Sequence, residues 1–314
     1  MVSPKELAPV LALVSLAALV GCRRASPSPP TAKVTDTSPG SPAAVGEPCG
    51  PLECAQFESA ADAMRVVLAL DPRVVAIGEA HAQRGTTVDS AAKRFTREIL
   101  PTFAGRASDL LVELMTPPEG CAAATVEVRE RQAPATAPQA PTNQNEYLAM
   151  GERARSLGIV PDMLRPSCAD MDSVRDAGDD AIAASLAMIA RLSASQAGRL
   201  VDRDARSPVD RDKAVLVYGG MLHNDLAPEH PEWSYAPALD TRTGGRLVSV
   251  ELVVPEFIGD DATWRGLAWR SHYDRARLGA KATLFRIADR SYVLVFPATA
   301  STEPAAKEPS TSSR

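Results

Sequence analysis

Short apolar runs alternate with amphipathic segments through the middle of the chain, and this alternation predicts its strands and helices. The segment 59–70 repeats apolar residues at helical spacing, and Ser59 with Asp62 is typical of a capping pair at the start of a helix. The apolar run 74–77 is short and ends at Gly78, which is typical of a buried strand. Further strands are predicted at 110–112, 159–164, 214–218, 247–254, 283–287 and 292–296. Further helices are predicted to begin at Thr86 with Asp89 and to cover 146–157 and 179–201.

Strands that are apolar on both faces and separated by helices predict an α/β fold. We expect a mainly parallel sheet with helices covering both faces. The last strands change character, because 247–254 and the pair 283–287 and 292–296 favour antiparallel pairing, with a turn at Asp289 and Arg290. The predicted architecture is therefore α/β, mainly parallel, with antiparallel strands added toward the C-terminus.

The first 21 residues predict a lipoprotein signal peptide. Lys5 precedes an apolar run of about eleven residues, which suits a signal peptide and is too short to span a bilayer. The four residues that end at Cys22 (Leu-Val-Gly-Cys) resemble the bacterial lipobox, in which the cysteine is lipidated. An ordinary secretory signal is the alternative. Arg23, and not Asp, follows the cysteine, which favours a lipid-anchored protein of the bacterial cell envelope at the outer membrane.

The rest of the chain divides by composition. Residues 22–47 are rich in Pro, Ser, Thr and Ala and predict a disordered tether, and residues 299–314 predict a tail of the same kind. Residues 48–298 are expected to form a single domain, with a Pro/Ala-rich surface insertion at about 117–145.

Charge and composition exclude some classes of function. Net charge is −5, from 34 basic and 39 acidic side chains, so no basic patch for nucleic acid is evident. We therefore expect no nucleic-acid partner and a membrane contact through the lipid anchor alone.

Four cysteines remain besides Cys22, and in an exported chain they predict two disulfides with three possible pairings. Cys49 and Cys54 are near enough in sequence to close a small loop, and Cys121 and Cys168 would then join two loops. Metal binding by the four cysteines is the alternative, but no Cys-x-x-Cys pair occurs.

Acids and imidazoles follow three of the predicted strands. Glu79 and His81 follow 74–77, Glu113 follows 110–112, and His223 follows 214–218, with Asn224 and Asp225 next to it. Because ligands bind at the carboxyl ends of strands in α/β sheets, these side chains are expected to share one pocket. Glycines at the same ends would let a ligand approach closely; they are Gly78, Gly219 and Gly220.

Such a group of side chains suits water activation. Imidazoles and carboxylates are ligands of first-row metals, and a bound metal can lower the pKa of its water. A His–Glu pair can also activate water without a metal. The plainer alternatives are a carboxylate that caps a helix and a core histidine satisfied by Asp225.

The strand-end motifs also resemble a known family. Residues 74–81 (VVAIGEAH) look like the strand and Gly-Glu-x-His signature of the haem-binding-uptake, Tiki and ChaN-like superfamily, which includes erythromycin-esterase-like hydrolases. Glu113 matches the acid after the family's second strand, and 220–223 (GMLH) match its second Gly-x-x-His. The resemblance covers roughly 68–225.

The resemblance implies a catalytic set made of Glu79, His81, Glu113 and His223. The substrate-binding candidates are Gly78, Gly220, Asn224 and Asp225, and the metal-ligand candidates are His81, His223 and Glu113. Members of the superfamily include metal-dependent peptidases, macrolide hydrolases and haem-binding lipoproteins. In the last case a tyrosine would ligate the haem, with Tyr218 and Tyr235 as candidates.

We therefore predict a metal-assisted hydrolase of ester, lactone or amide bonds, with a divalent transition metal and a small-molecule or peptide substrate. The alternative is a haem- or metal-binding uptake lipoprotein without catalytic activity. A purely structural envelope lipoprotein is a third hypothesis.

Overall fold

One mixed sheet organises the computed structural model of this protein, which describes residues 46–116 and 118–299. The predicted signal peptide, the lipidation site Cys22, the tether as far as residue 45 and the tail from residue 300 lie outside the described residues. The boundaries of the domain thus stay predictions.

Nine strands of the described chain form this sheet in the order β1-β2-β8-β9-β7-β3-β6-β4-β5. Strands β9, β7, β3, β6, β4 and β5 run parallel to their neighbours, and β1, β2 and β8 add an antiparallel edge beside β9. The strands are β1 Glu47–Gly50, β2 Cys54–Phe57, β3 Val74–Glu79, β4 Ala107–Met115, β5 Val160–Leu164, β6 Ala214–Gly220, β7 Leu247–Val253, β8 Ala282–Ala288 and β9 Ser291–Val295.

Helices cover both faces of the sheet. The described α-helices are α1 Ala60–Leu68, α2 Ala91–Arg94, α3 Ala122–Thr136, α4 Asn143–Ser156, α5 Cys168–Asp176, α6 Ala181–Ala205, α7 Ala236–Arg242, α8 Ala262–Gly266 and α9 Arg275–Leu278. One core lies between the sheet and α1, α2 and α4, and a second lies between the opposite face and α3, α5, α6 and α7. A parallel sheet that is covered on both faces needs strands that are apolar on both faces, and β3 is buried throughout. The arrangement confirms the predicted α/β class.

Two local predictions hold in detail. Helix α1 begins after Ser59, whose side chain accepts a hydrogen bond from the backbone N–H of Asp62. The pair β8 and β9 forms the predicted antiparallel hairpin, and Arg290 in its turn has a positive φ of 58°.

The predicted direction of the strand at 247–254 is wrong. Strand β7 runs parallel to both β3 and β9. The reason is the crossover through α7, which returns the chain to the amino end of the sheet before β7 begins. The prediction lacked one antiparallel pair. Strands β1 and β2 form this pair and extend the sheet at the edge beside β8.

The second helix and the proposed insertion also differ from expectation. Ser90, and not Thr86 with Asp89, caps α2, and the chain continues from Arg94 into a π-helical turn at Phe95–Ile99. The Pro/Ala-rich stretch contains α3, whose Val128 is fully buried in the second core.

Two disulfides join Cys49 to Cys54 and Cys121 to Cys168. They realise one of the three pairings that the sequence left open. None of the helices within the described ranges combines the length and the hydrophobicity that a bilayer-spanning segment needs.

Candidate functional site

The carboxyl ends of three neighbouring strands meet at one edge of the sheet. Strand β6 lies between β3 and β4 and is parallel to both, so Glu79 at the end of β3 is opposite Gly220. The predicted acids and imidazoles therefore lie along one edge of the sheet, although they come from distant parts of the sequence.

Glu79 and His81 form a buried pair at this edge. The exposed fraction of Glu79 is 2%, and its Oε1 lies 2.9 Å from Nδ1 of His81. Two tyrosine hydroxyls hold the same carboxylate: Tyr147 donates to Oε1 at 2.9 Å and Tyr218 donates to Oε2 at 2.7 Å. Because the carboxylate of Glu79 accepts a hydrogen bond from Nδ1–H, Nε2 of His81 is left to act on a ligand.

Opposing effects act on the pKa of His81. Burial disfavours its charged form, but the hydrogen bond and the charge of Glu79 favour that form, and the charges of Glu113 and Glu146 add to them. The net result is a raised pKa, which makes His81 a stronger base once it is neutral.

The two tyrosines stay protonated and serve as hydrogen-bond donors. Burial, together with the charge of Glu79, raises the pKa of both Tyr147 and Tyr218 well above its ordinary value. Neither tyrosine weighed as a haem ligand has a free hydroxyl, because Tyr218 donates to Glu79 and Tyr235 donates to the carbonyl of Val217.

Glu113 and His223 form a second buried pair. Their exposed fractions are 6% and 1%, and Oε1 of Glu113 faces Nε2 of His223 across 3.8 Å. The second polar atom of each side chain has a backbone partner. Gly220 donates its N–H to Oε2 of Glu113 at 2.7 Å, and Nδ1 of His223 lies 2.6 Å from the carbonyl of Trp233. The two facing atoms make no hydrogen bond, although both are buried.

The two pairs lie on opposite faces of the sheet. Side chains alternate along a strand, so Glu79 follows Ile77 toward α4, whereas Glu113 follows Leu111 toward α6. The four predicted catalytic residues are thus two pairs and not one ligand shell. The pairs still act on each other through space, because the charge of Glu113 helps to raise the pKa of His81.

The predicted substrate-binding residues have different surroundings. Asn224 is 1% exposed and packs over Gly78, within 3.2 Å of the hydroxyl of Ser249. Gly220 presents its backbone N–H to Glu113, and Asp225 is exposed and accepts a hydrogen bond from the N–H of Ala227. Asn224 therefore supports the strand ends from within, and only Asp225 of these residues is exposed.

Gly219 is required by close packing, and its replacement gives a testable prediction. A Cβ atom at Gly219 would lie 2.9 Å from Cβ of Glu113, so Gly219→Ala is expected to destabilise the fold by about 1–3 kcal/mol in urea unfolding. Gly151→Ala in α4 is the matched control, because its new methyl would meet Pro161 at 3.4 Å and alanine favours helix. Equal stability of the two variants would contradict the packing at Glu113.

The residues present do not complete a metal site of the predicted kind. Glu113 and His223 direct unpaired oxygen and nitrogen atoms at a common gap, but His81 lies on the other face with Nδ1 bonded to Glu79. Across residues 46–116 and 118–299, no group of three or more His, Cys, Asp or Glu side chains is arranged to hold a metal ion. A catalytic zinc site has three protein ligands, so the described donors supply two of them.

Helix α4 supplies site residues that sequence reasoning missed. Tyr147 bonds Glu79, Asn143 donates to the carbonyl of Ala82, and Glu146 accepts a hydrogen bond from Ser90. A tyrosine 68 residues away from its carboxylate leaves no local signal. The other two histidines lie elsewhere, and His230 is exposed and stacks on Trp233.

Comparison of the chain with protein-family models, with curated proteins and with solved structures gives no match. The resemblance to the haem-binding-uptake, Tiki and ChaN-like superfamily thus stays a prediction from the motifs.

Proposed function

We propose that this protein is an envelope-anchored lipoprotein that hydrolyses ester, lactone or amide bonds with water activated by His81. The observation that carries the proposal is the buried Glu79–His81 pair, whose carboxylate also accepts two tyrosine hydroxyls. The position at the carboxyl edge of a parallel sheet supports the same function.

The arrangement supports general-base catalysis. Nε2 of His81 takes a proton from water, and the hydroxide attacks the carbonyl carbon to give a tetrahedral intermediate. The imidazolium then returns the proton to the leaving oxygen or nitrogen as the bond to carbon breaks. Glu79 fixes the ring through Nδ1–H and stabilises its transient charge, and Tyr147 and Tyr218 hold Glu79 in place.

Glu113 and His223 support this reaction from the other face. The charge of Glu113, which lies opposite His223, helps to raise the pKa of His81. Since the described residues offer two ligands for a metal, the proposed steps rely on side chains alone.

The experiment that tests the proposal is turnover by the purified full chain. Neutral ester, lactone and amide substrates are offered, and elemental analysis and an absorption spectrum with haemin are recorded on the same sample. We expect steady release of product that depends on His81. A strong Soret band without turnover would favour the uptake alternative, and bound metal at one ion per chain would support the predicted divalent metal.

The pH dependence of hydrolysis is a further expected result. Only neutral His81 can accept a proton, so kcat/KM is expected to rise with pH and to level off above a midpoint higher than the ordinary value of about 6.5. Glu79→Gln removes the hydrogen bond and charge that raise the pKa, while burial still lowers it. The midpoint of the residual activity should therefore move to lower pH. An unchanged midpoint would show that His81 is not the titrating base.

A further inference from the structure

A cavity of about 460 Å³ lies at the carboxyl edge of the sheet, beside the end of β9 and two strands away from β3. One wall is the segment that follows β9, and the other comes from the segment between β3 and α2 and from α2 itself. The cavity is on the α4 side of the sheet, because its residue Val88 packs in the same core as Tyr147. Cavities of about 300–1,000 Å³ are typical of sites for small molecules. The mechanism proposed above leaves this cavity unused.

A buried arginine holds the two walls together. Arg94 is 6% exposed, and its guanidinium donates to the carbonyl of Asp89 at 3.2 Å on one wall. On the other wall it donates to the carbonyl of Pro297 at 2.6 Å and to the hydroxyl of Thr299 at 2.7 Å. Glu256 lies 3.5 Å from the same guanidinium and balances its charge. The walls are therefore fixed before a ligand arrives, which lowers the cost of binding.

Three further charged side chains line the cavity. Arg97 donates to Asp89 at 2.6 Å and to Glu98 at 2.7 Å. Arg97 and Glu98 belong to the π-helical turn Phe95–Ile99, and such turns are rare and often occur at functional sites. Together with Arg94, the lining has two positive and two negative side chains, so their formal charges sum to zero. A ligand with a net charge would disturb that balance, and a zwitterion would keep it.

The ion pairs of Arg97 can exchange partners with a ligand. The side chains of Arg97 and Asp89 are 58% and 43% exposed, and ion pairs with such exposure contribute little to stability. A ligand carboxylate can accept from two nitrogens of Arg97 side by side, which is the geometry that a guanidinium favours. A ligand ammonium can then take the place of Arg97 beside Asp89 and Glu98.

We propose that this cavity binds a zwitterionic α-amino acid with an apolar side chain. The carboxylate of the ligand pairs with Arg97, and its ammonium group pairs with Asp89 and Glu98. The apolar side chain packs against Val88 and Ala298 in the same lining. The inference goes beyond the proposed hydrolase function and does not depend on it, because no bond of the ligand is broken.

Isothermal titration calorimetry of the full chain with four forms of leucine tests the inference. In slightly acidic buffer leucine is a zwitterion, N-acetyl-leucine an anion, leucinamide a cation and N-acetyl-leucinamide neutral. We expect leucine to bind about tenfold or more tightly than each of the others, because each lacks at least one charged group. No binding of leucine, or binding of another form with equal or higher affinity, would overturn the inference. Neither result bears on hydrolysis by His81.

Two arginine variants and a cavity-filling variant locate the ligand. Arg97→Gln removes the partner of the ligand carboxylate, so the affinity for leucine should fall by about tenfold or more. Arg165→Gln is the matched control, because the Arg165 side chain is 63% exposed and ion-paired with Asp162 but does not line the cavity. Ala298→Phe fills the cavity and should also weaken binding. Unchanged affinity in Arg97→Gln or in Ala298→Phe, with the fold checked by circular dichroism, would overturn the inference.

Discussion

Replacing His81 by alanine is expected to lower kcat for a neutral ester by about 100- to 10,000-fold, the range that a positioned general base contributes. The imidazole is the only group of its pair with an atom left for water, since Nδ1 is bonded to Glu79. Without it, the nearest remaining acceptor is the Glu79 carboxylate, which stays bonded to two tyrosines.

Glu79→Gln is expected to cause a loss of the same order. Glutamine is close in shape, but it has one acceptor oxygen and an NH₂ group where the carboxylate accepts from Tyr147, Tyr218 and His81. The amide keeps an acceptor oxygen at only one of the two carboxylate positions, and the transient imidazolium would lose its counter-charge. Glu79→Gln therefore weakens both the orientation of the His81 ring and the stabilisation of its positive charge.

His230→Ala is the control for both variants, because this histidine is exposed and its stacking and ion-pair partners are Trp233 and Glu232, not Glu79 or His81. Circular dichroism and thermal unfolding of all three variants separate lost chemistry from lost structure. A folded His81→Ala protein with full activity would end the proposed mechanism. Activity lost equally in His230→Ala would mean that the assay reports stability.

The central strands could be predicted because burial on both faces leaves a strong sequence signal. The run 214–218 lies within β6, and 74–77 lies within β3. The direction of β7 could not be predicted in the same way, since it depends on α7, a crossover helix of seven residues that is too short to show helical periodicity. Four-residue strands such as β1 leave equally little signal.

The site, like the fold, could be predicted from the sequence only in part. Sequence alone places Glu79 and Glu113 at strand ends, but the face that each one points to depends on the register between strands. A shift of one residue in register would turn Glu113 to the other face. The register of β4 with β6, which sets Val112 beside Tyr218, is fixed by packing of the whole sheet. Contacts such as Tyr147 with Glu79 follow only from that packing.

Removing the disulfide between Cys121 and Cys168 is expected to have the largest effect on stability. The two cysteines are 47 residues apart and tie the start of α3 to the start of α5, beside the carboxyl ends of β4 and β5. A crosslink of that span restricts the unfolded chain by about 4 kcal/mol, which corresponds to a fall in Tm of roughly 10 °C for a domain of this size.

The other disulfide provides an internal comparison within the same protein. Cys49 and Cys54 are five residues apart, so the double Cys→Ser variant at these positions should lose only about 2 kcal/mol. Chain entropy thus predicts the order of the melting temperatures as well as the size of each loss. The Cys121–Cys168 variant should melt well below the Cys49–Cys54 variant, and each should melt below the unmodified protein. Differential scanning calorimetry of the three proteins measures this order. The reverse order would show that local packing, and not the length of the closed loop, determines what each disulfide contributes. In that case the β1–β2 edge closed by Cys49 and Cys54 would be more important for the fold than the link between α3 and α5.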